Sequence, residues 1–373
     1  MINPFFAIIF IWSFLYVATL LLYWQGWNRS RARLGKSESE SESGVGRGVS
    51  VIVPFRNEEK NLPACIASLK ALDYPNDLLE IIFVNDHSTD SSAEFARSSG
   101  AVLLQLEQNE LGKKAALSKG IKSAKFENIL TLDADSTVGS QWLKEMMNTK
   151  ISGDYLMVGA LVKYHREPGF FNAFLNIEMC SLMGLTAGAI QRKKPLMANG
   201  TNLLFSKEAF NAVGAYENDT YASGDDVFLM HKVASKFGAK KIGFNSNNNA
   251  LVSTEPVHSW KELFQQRLRW AGKAKAYPSY AKRITLLMGS INILMAFLLT
   301  VCFFQMHLIP FVVAMFVLKG AADVIITLPV MLRTNQGFLL KFLVPVALVY
   351  PFYITFISIY SLFFKARWKG RGI

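Results

Sequence analysis

Residues 49–58 read Val-Ser-Val-Ile-Val-Pro-Phe-Arg-Asn-Glu and residues 80–88 read Glu-Ile-Ile-Phe-Val-Asn-Asp-His-Ser, and these two stretches decide the fold. In each, a run of β-branched and aromatic residues ends in a polar turn, which predicts strands over residues 49–53 and 80–84. Residues 59–71 between them have the apolar spacing of a helix. A strand, a helix and a second strand in this order indicate a parallel α/β sheet.

The same alternation continues along the chain, with further strands predicted at residues 101–104 and 128–132 and a helix at residues 114–124. Three of the predicted strands end in polar residues. Ligands of open α/β sheets bind outside the carboxyl ends of the strands, so three polar turns predict one binding crevice. The three turns are residues 54–58, 85–88 and 133–136.

The last of these turns contains two carboxylates, Asp133 and Asp135, directly after a strand. Oxygen ligands at this spacing suit a hard divalent cation, Mg²⁺ or Mn²⁺, that also binds a diphosphate. A solvated loop is the alternative, and the position at a strand end favours the metal. Asp86 is suited to accept a hydrogen bond from a nucleobase or ribose, or instead to form an Asx-turn or a helix cap toward Ser91.

A second acidic cluster, Ser223-Gly224-Asp225-Asp226, precedes a predicted helix over residues 227–236. Acidic residues at a helix N-terminus are ordinary partners of the helix dipole, so capping is one interpretation. Two adjacent carboxylates exceed what capping needs. Their mutual repulsion raises the proton affinity of one of them, which suits a general base that deprotonates an acceptor hydroxyl.

A predicted amphipathic helix, residues 260–271, carries Gln266, Arg269 and Trp270 close to the next apolar segment. Arg269 is suited to neutralise a departing diphosphate, and Trp270 to stack on a sugar or to lie at the membrane interface. The alternative is a basic interfacial helix that touches lipid headgroups.

Residues 5–24 form a run of 20 residues without a charge, long enough to span a hydrocarbon core of about 30 Å. The aromatic end of this run and the lack of a cleavage pattern predict an uncleaved anchor over residues 1–27. The basic residues that follow, Arg29, Arg31, Arg33 and Lys36, place the start of the chain outside and the rest in the cytoplasm. We therefore expect an integral protein of the cell (inner) membrane whose catalytic domain is cytoplasmic.

Three more apolar segments, residues 284–304, 308–332 and 338–364, follow the middle region. Three simple spans would put the basic C-terminal tail outside, so one segment is expected to be re-entrant. The favoured one is residues 338–364, because Lys341, Pro345 and Pro351 interrupt it. Lys319 and Asp323 are spaced i, i+4 inside the preceding segment, which predicts either an ion pair or a substrate path.

Composition excludes several classes of protein. With 51% hydrophobic and 18% charged residues the chain is too apolar for disorder. Much of its net charge of +12 is juxtamembrane, which favours anionic lipid over nucleic acid as a partner. Three widely spaced cysteines, Cys65, Cys180 and Cys302, exclude a disulfide scaffold.

His87 and His258 lack partners at metal-ligand spacing and are interpreted as loop residues.

Two nucleotide-binding patterns are also disfavoured. The glycines at positions 44, 46 and 48 precede the first strand, whereas a dinucleotide fingerprint must follow it. Gly112-Lys113 lacks the earlier glycine of a P-loop. The polar, low-complexity residues 28–48 are expected to be a flexible linker.

Taken in this order, the motifs of residues 49–270 resemble those of membrane-integrated family 2 glycosyltransferases, which include cellulose, chitin and hyaluronan synthases and ceramide glucosyltransferases. Two departures are present, because Asn85 replaces the usual first Asp of its turn and Asp225 the usual Glu before the base. The matching motifs are Pro54-x-x-Asn57-Glu58, Asn85-Asp86, Gly112-Lys113, Asp133-x-Asp135, Gly200-x-Asn202, Asp225-Asp226 and Gln266-x-x-Arg269-Trp270.

The resemblance implies a GT-A fold and an inverting, metal-dependent transfer from a nucleotide-sugar, with a UDP-sugar preferred. It implies that Asp226, with Asp225, is the base and that Asp135 is the chief ligand of Mg²⁺ or Mn²⁺, with Asp133 bridging metal and nucleotide. The remaining substrate-binding residues that it implies are Pro54, Asn57, Glu58, Asp86, Lys113, Asn202, Gln266, Arg269 and Trp270.

We expect the GT-A domain to span residues 49–258, the interfacial segment residues 259–283 and the C-terminal membrane region residues 284–373. Four or fewer membrane spans are few to form a channel for a polymer, so the favoured acceptor is a membrane lipid or a lipid-linked glycan. A processive polysaccharide synthase is the alternative. A non-catalytic membrane scaffold is disfavoured because the metal and base carboxylates are all present.

Overall fold

A computed structural model describes residues 4–37, 46–214, 216, 224–273, 276–363, 367–368 and 371–372. Residues 38–45 of the predicted linker, Ser223 of the second acidic cluster and parts of the basic tail lie outside these residues.

The structure is built from helices, strands and short 3-10 turns. The helices are α1 Pro4–Ser37, α2 Leu62–Lys70, α3 Ser92–Ser98, α4 Lys113–Ser123, α5 Trp142–Ser152, α6 Phe170–Gln191, α7 Lys207–Ala212, α8 Asp225–Phe237, α9 Trp260–Lys273, α10 Ser279–Val301, α11 Ile309–Arg333 and α12 Leu343–Phe363. The strands are β1 Val49–Phe55, β2 Leu79–Asn85, β3 Val102–Gln105, β4 Asn128–Thr131, β5 Ser136–Val138, β6 Met157–Ala160, β7 Val162–Tyr164, β8 Leu203–Ser206, β9 Ile242–Asn245, β10 Val252–Thr254, β11 Arg367–Trp368 and β12 Arg371–Gly372. The 3-10 turns are Asn76–Leu78, Ala239–Lys241, Asn248–Ala250, Met306–Leu308 and Gly337–Phe342.

The chain divides into two compact units. The first, which we call the sheet unit, comprises residues 26–165 and 189–255. The second, the helical unit, comprises residues 1–25, 166–188 and 256–373. The sequence predicts one domain over residues 49–258, whereas in the structure residues 166–188 leave that domain and group with the apolar helices. The physical reason is that α6 is an apolar helix whose neighbours are other apolar helices.

The sheet unit is built on a seven-stranded sheet of order β3-β2-β1-β4-β8-β6-β9. The strands from β3 to β4 are parallel, as the sequence predicts. Strand β8 is antiparallel to both β4 and β6, so the sheet as a whole is mixed. The structure departs from the predicted parallel sheet at β8, because the chain passes through β7 and α6 after β6 and re-enters the sheet in the opposite direction.

Strand β1 lies at the centre of the parallel part and is buried along its whole length. A strand covered on both faces needs a nearly continuous apolar run, and Val-Ser-Val-Ile-Val-Pro-Phe supplies one. A small second sheet, of order β5-β10-β7, pairs β10 with β5 so that Thr254 lies opposite Ser136. This pairing carries Thr254 to the polar turn after β4.

The first helix extends further than the sequence predicts. Helix α1 continues to Ser37, so residues 28–37 are helical instead of belonging to a flexible linker. Trp27 and Ser30 are buried. The Ser30 hydroxyl lies 3.3 Å from both Phe244 O and Ser246 Oγ, and these contacts fix the end of the helix in the sheet unit.

Among the described residues, five segments are long and apolar enough to cross a membrane: Ile9–Ser30, Phe170–Gln191, Ser279–Val301, Met306–Arg333 and Gly337–Phe363. The last contains an unbroken helix from Leu343 to Phe363, although Pro351 lies inside it. Pro351 therefore does not interrupt the helix, and the re-entrant path of this segment stays a prediction. The segment at α6 is absent from the sequence-based expectation.

Two glycines allow α6 to pack closely inside the helical unit. A Cβ at Gly184 would lie 2.7 Å from the carbonyl oxygen of Ile326, and one at Gly188 would lie 2.3 Å from that of Tyr23. Glycines four residues apart on one helix permit such backbone contacts in helix bundles. The predicted pair of Lys319 and Asp323 is confirmed as an ion pair, with 2.7 Å between Nζ and Oδ2.

Candidate active site

Hydrogen bonds from backbone N–H groups to side-chain oxygens join the loops that follow β1 and β2. Asn57 Oδ1 accepts a hydrogen bond from Thr89 N at 2.9 Å, and Ser88 Oγ accepts one from Asn57 N at 3.1 Å. Ser92 Oγ accepts one from Glu58 N at 2.8 Å. Asn57 has a φ of 53°, a left-handed conformation that Asn tolerates well. Asn57 therefore fixes the two loops at the carboxyl edge of the sheet.

Asp86 extends this edge from β2 and is 4% exposed. Its Oδ2 lies 3.8 Å from Arg56 Nη1. Among the described residues, no group donates a hydrogen bond to its Oδ1, although that atom is buried. A buried acceptor without a partner is unfavourable, and an N–H group of a ligand would satisfy it. Pro54, in contrast, is buried within β1.

The turn after β4 brings the two predicted metal-binding carboxylates together. Thr254 Oγ1 donates to Asp135 Oδ1 at 3.0 Å, and Ser136 Oγ is 3.2 Å from the same oxygen. Partial burial and then the carboxylates of Asp133 and Glu58 raise the pKa of Asp135 to about 7. The turn therefore holds more negative charge than its own donors neutralise.

Lys113 lies at the start of α4 and forms an ion pair with Asp133. Both side chains are about one third exposed, at 35% and 33%. Burial lowers the pKa of Lys113, but Asp133, Asp225 and Asp226 outweigh it and hold that pKa well above the usual value. Lys113 is thus within electrostatic reach of both acidic motifs, which the sequence separates by about ninety residues.

Asp225 and Asp226 open helix α8, as the sequence predicts, after Gly224 with a φ of 92°. Asp225 is 8% exposed. Gly200 N donates to Asp226 Oδ2 and Val227 N to Asp226 Oδ1, both at 2.8 Å. These two bonds set the orientation of the Asp226 carboxylate and tie the turn at residues 199–202 to α8.

Asn202 does not face the crevice, which corrects the expectation that it binds substrate. Its side chain is fully buried. Its Nδ2 donates to Leu161 O and Ala250 O, both at 2.8 Å, and its Oδ1 accepts a hydrogen bond from Trp142 Nε1 at 3.0 Å. Both polar atoms of the amide therefore form hydrogen bonds within the protein, and Asn202 has a structural role next to the site. Thr201 contacts the site instead, since its Oγ1 accepts a hydrogen bond from Asp133 N at 3.1 Å.

The third group of predicted residues lies on α9 in the helical unit. Gln266 Oε1 accepts a hydrogen bond from Arg267, whose guanidinium lies 4.0 Å from the centre of the Trp270 ring. Arg267 also forms an ion pair with Glu178 on α6. Burial and then the charge of Arg267 lower the pKa of Arg269. Within the described part of the chain, Arg269 has no ion-pair partner.

Sequence reasoning missed Glu178, Thr201 and Thr254. Glu178 is the only charged residue in the apolar run of α6, and such isolation was a usable signal because charges in apolar helices are costly. The two threonines have no local signal, because their contacts with the Asp133–Asp135 turn depend on strands that are distant in sequence.

The residues present fit a divalent cation. Asp133 and Asp135 supply oxygen ligands, and burial together with the carboxylates of Asp133 and Glu58 raises the pKa of Asp135, so a cation beside it would be stabilised. Within the described residues, no three His, Cys, Asp or Glu side chains are placed to hold an ion by themselves. Two carboxylates with further ligands from a diphosphate or water are the pattern usual for Mg²⁺ sites.

The chain is similar in sequence and in structure to known glycosyltransferases. The family model described as "Glycosyl transferase family 2" matches residues 50–214. Glycosyltransferase AglE of Haloferax volcanii is 27% identical over 249 residues, covering 64% of this chain and 76% of AglE. Poly-beta-1,6-N-acetyl-D-glucosamine synthase of Staphylococcus epidermidis is 27% identical over 236 residues, covering 60% of this chain and 54% of the synthase. This chain thus aligns with only about half the length of the second relative.

Among solved structures, the mannosyltransferase PcManGT from Pyrobaculum calidifontis, determined in complex with GDP-Man and Mn²⁺, is similar over nearly the whole chain. The TM-score is 0.59 at 18% identity, and the match covers 96% of this chain and 98% of PcManGT. At this identity the likeness establishes the fold, which is that of a GT-A transferase with associated apolar helices.

Proposed function

Because the chain is a glycosyltransferase that carries a family 2 domain, we propose that it moves a sugar from a nucleotide-sugar to a membrane lipid or a lipid-linked glycan, with inversion and with a divalent cation. The observation that carries the proposal is the meeting of two acidic motifs around Lys113 at the carboxyl edge of the sheet. A donor site and a proton-accepting site are the two parts that such a transfer needs.

The donor would bind along the parallel edge. Asp86 Oδ1, buried and without a hydrogen-bond donor among the described residues, would accept an N–H of the nucleobase. Asp133 and Asp135 would hold Mg²⁺ or Mn²⁺, which offsets charge developing on the departing diphosphate. Lys113 would supply a second positive charge at the phosphates.

The acceptor would be activated on the other side of the crevice. Asp226, oriented by Gly200 N and Val227 N, would take the proton from the attacking hydroxyl as the sugar is transferred. Asp225 adjoins it in the sequence. Gln266, Arg269 and Trp270 would bind the diphosphate and the acceptor end, since the Arg269 guanidinium has no ion-pair partner among the described residues.

A membrane lipid as acceptor is supported by the five apolar segments found among the described residues. A processive polysaccharide synthase is the second candidate, and the similarity to a poly-beta-1,6-N-acetyl-D-glucosamine synthase favours it. Placement in a cell membrane with the sheet unit in the cytoplasm is part of the proposal and rests on the basic residues after the first apolar run.

The test is nucleoside diphosphate release by the detergent-purified full chain across a panel of UDP- and GDP-sugars, with lipid extract and with or without Mn²⁺ or Mg²⁺. We expect one donor to support metal-dependent release, and Asp226→Asn and Asp135→Asn to abolish it. Asp77→Asn, an exposed carboxylate in a 3-10 turn, is the matched control and should retain activity. No release with any donor by the folded protein would refute the proposal.

The label of the transferred sugar separates the two acceptors. A labelled product that partitions into organic solvent with one or a few sugars supports transfer to a lipid. A labelled product of high molecular mass that a glycosidase shortens would establish the synthase instead.

A further inference from the structure

The helical unit contains a buried ion pair that the proposed chemistry does not require. Glu178 on α6 is 4% exposed and Arg267 on α9 is 6% exposed. Arg267 Nε donates to Glu178 Oε2 at 3.1 Å, and Nη2 donates to the same oxygen. A charge buried in an apolar helix is costly, so this pair calls for an account beyond packing.

The other oxygen of Glu178 is also held. The hydroxyl groups of Tyr350 and Tyr353 on α12 lie 3.5 and 3.4 Å from Glu178 Oε1. The carboxylate is therefore fixed from both sides, by the guanidinium on one and by two phenols on the other. A carboxylate held in this way presents a rigid acceptor to α9.

Arg267 contacts two of the predicted substrate-binding residues on the same helix and so limits their orientation. Its Nη1 donates to Gln266 Oε1, and its guanidinium plane is 4.0 Å from the Trp270 ring centre. A planar guanidinium that bonds a carboxylate, an amide and an aromatic face at once has few free orientations. Two of the three predicted side chains thus depend on where Glu178 holds Arg267.

The ion pair between Glu178 and Arg267 also determines which arginine of α9 can bind an anion. Glu178 neutralises Arg267, whereas Arg269 has no ion-pair partner among the residues that the structure describes. The unpaired Arg269 guanidinium on α9 is therefore available to an anion.

We propose that Glu178 is a positioning residue for transfer: through Arg267 it orients Gln266 and Trp270, and by pairing with Arg267 it leaves Arg269 as the unpaired guanidinium of α9 among the described residues. This inference rests on the proposed function, because it assigns those three residues to the leaving group and acceptor. Glu178 itself touches neither substrate.

The experiment compares Glu178→Gln with the wild-type full chain in detergent, and measures kcat per folded molecule, donor KM, UDP affinity and Tm. Gln keeps the size of the side chain and removes the charge that holds Arg267. We expect kcat to fall by at least tenfold, while UDP affinity, set in the sheet unit, stays within about twofold.

Two further variants separate positioning from stability. Glu178→Gln combined with Arg267→Gln removes both buried charges and should recover Tm, but kcat should stay low because nothing then orients Gln266 and Trp270. Glu262→Gln, the matched control, removes an exposed carboxylate near the start of α9 that accepts a hydrogen bond from His258 N, and it should leave kcat per folded molecule unchanged.

Recovery of both Tm and kcat in the double variant would overturn the inference, because the pair would then serve stability alone. If Glu178→Gln had the same kcat per folded molecule as the wild type, the inference would also be overturned, and the proposed function would stay intact. Wild-type protein that is folded and releases no nucleotide with any donor would overturn both.

Discussion

Replacing Lys113 by Gln is expected to tighten the binding of Mn²⁺ to the nucleotide-free protein. Lys113 forms an ion pair with Asp133, one of the two carboxylates that fit a divalent cation. The ammonium group and the metal compete for the same negative charge. Removing the ammonium frees Asp133 and also removes a like charge next to the metal.

The magnitude follows from the geometry and exposure of the pair. Two unit charges 4 Å apart interact by about 1 kcal/mol in water and about 4 kcal/mol near a protein surface. The two side chains are 35% and 33% exposed, so the lower value is the appropriate one. A gain of about 1 kcal/mol corresponds to roughly a fivefold decrease in the dissociation constant for Mn²⁺.

The assay is titration of the full chain with MnCl₂, with free Mn²⁺ read by electron paramagnetic resonance. Lys122→Gln is the matched control, because Lys122 lies exposed near the other end of α4 and carries the same charge. Asp135→Asn defines binding outside the site. Tm is measured for every variant to confirm folding.

Adding UDP should reverse the sign of the effect. With a diphosphate present, Lys113 is expected to leave Asp133 and neutralise the phosphates, so Lys113→Gln should weaken the combined binding of Mn²⁺ and UDP. Folded Lys113→Gln protein that binds Mn²⁺ alone no more tightly than the wild type would refute the reasoning that Lys113 and the metal compete.

Three further predictions concern stability and reactivity. Asn202→Ala leaves three buried groups without partners, at about 1 to 3 kcal/mol each, so Tm should fall by roughly 6 °C or more, whereas the same change at exposed Asn109 should not move it. Burial lowers the pKa of His231 to about 4 from 6.5, so its contribution to stability is full above pH 6.5 and is lost as the pH falls toward 4. Between pH 7.5 and 5, the free energy of unfolding of His231→Gln in denaturant should therefore fall by about 2 kcal/mol less than that of the wild type. Equal losses would contradict burial as the cause. Burial and then nearby carboxylates raise the pKa of Cys65 to about 12, so maleimide should label half-buried Cys302 in the native protein and Cys65 only after unfolding.

The parallel half of the sheet could be predicted because its signals are local. Strands predicted at residues 49–53 and 80–84 correspond to β1 and β2, and the helix predicted at residues 114–124 to α4. A strand followed by a helix and a parallel strand brings successive carboxyl ends to one edge, so the convergence of Asp86 and Asp133 on that edge follows from chain order.

The parts that could not be predicted depend on contacts between distant segments. The direction of β8 depends on the route of the chain through α6, and no local pattern records that route. Asn202 has the residue type of a substrate-binding group, but its role was decided by Trp142, Leu161 and Ala250, which surround it from three other elements. A motif thus identifies a position near the site without saying which way the side chain points.

The charges at the site bear on the order of substrate binding. Among the described residues, Lys113 is the ammonium group that interacts with the carboxylates of Asp133, Asp135, Asp225 and Asp226. A nucleoside diphosphate that bound alone would add negative charge to a crevice that already has more carboxylates than ammonium groups. A divalent cation reduces that excess and binds the diphosphate as well, so donor and metal should bind with positive cooperativity. The ion pair between Lys113 and Asp133 should then discourage tight binding of the metal without the donor.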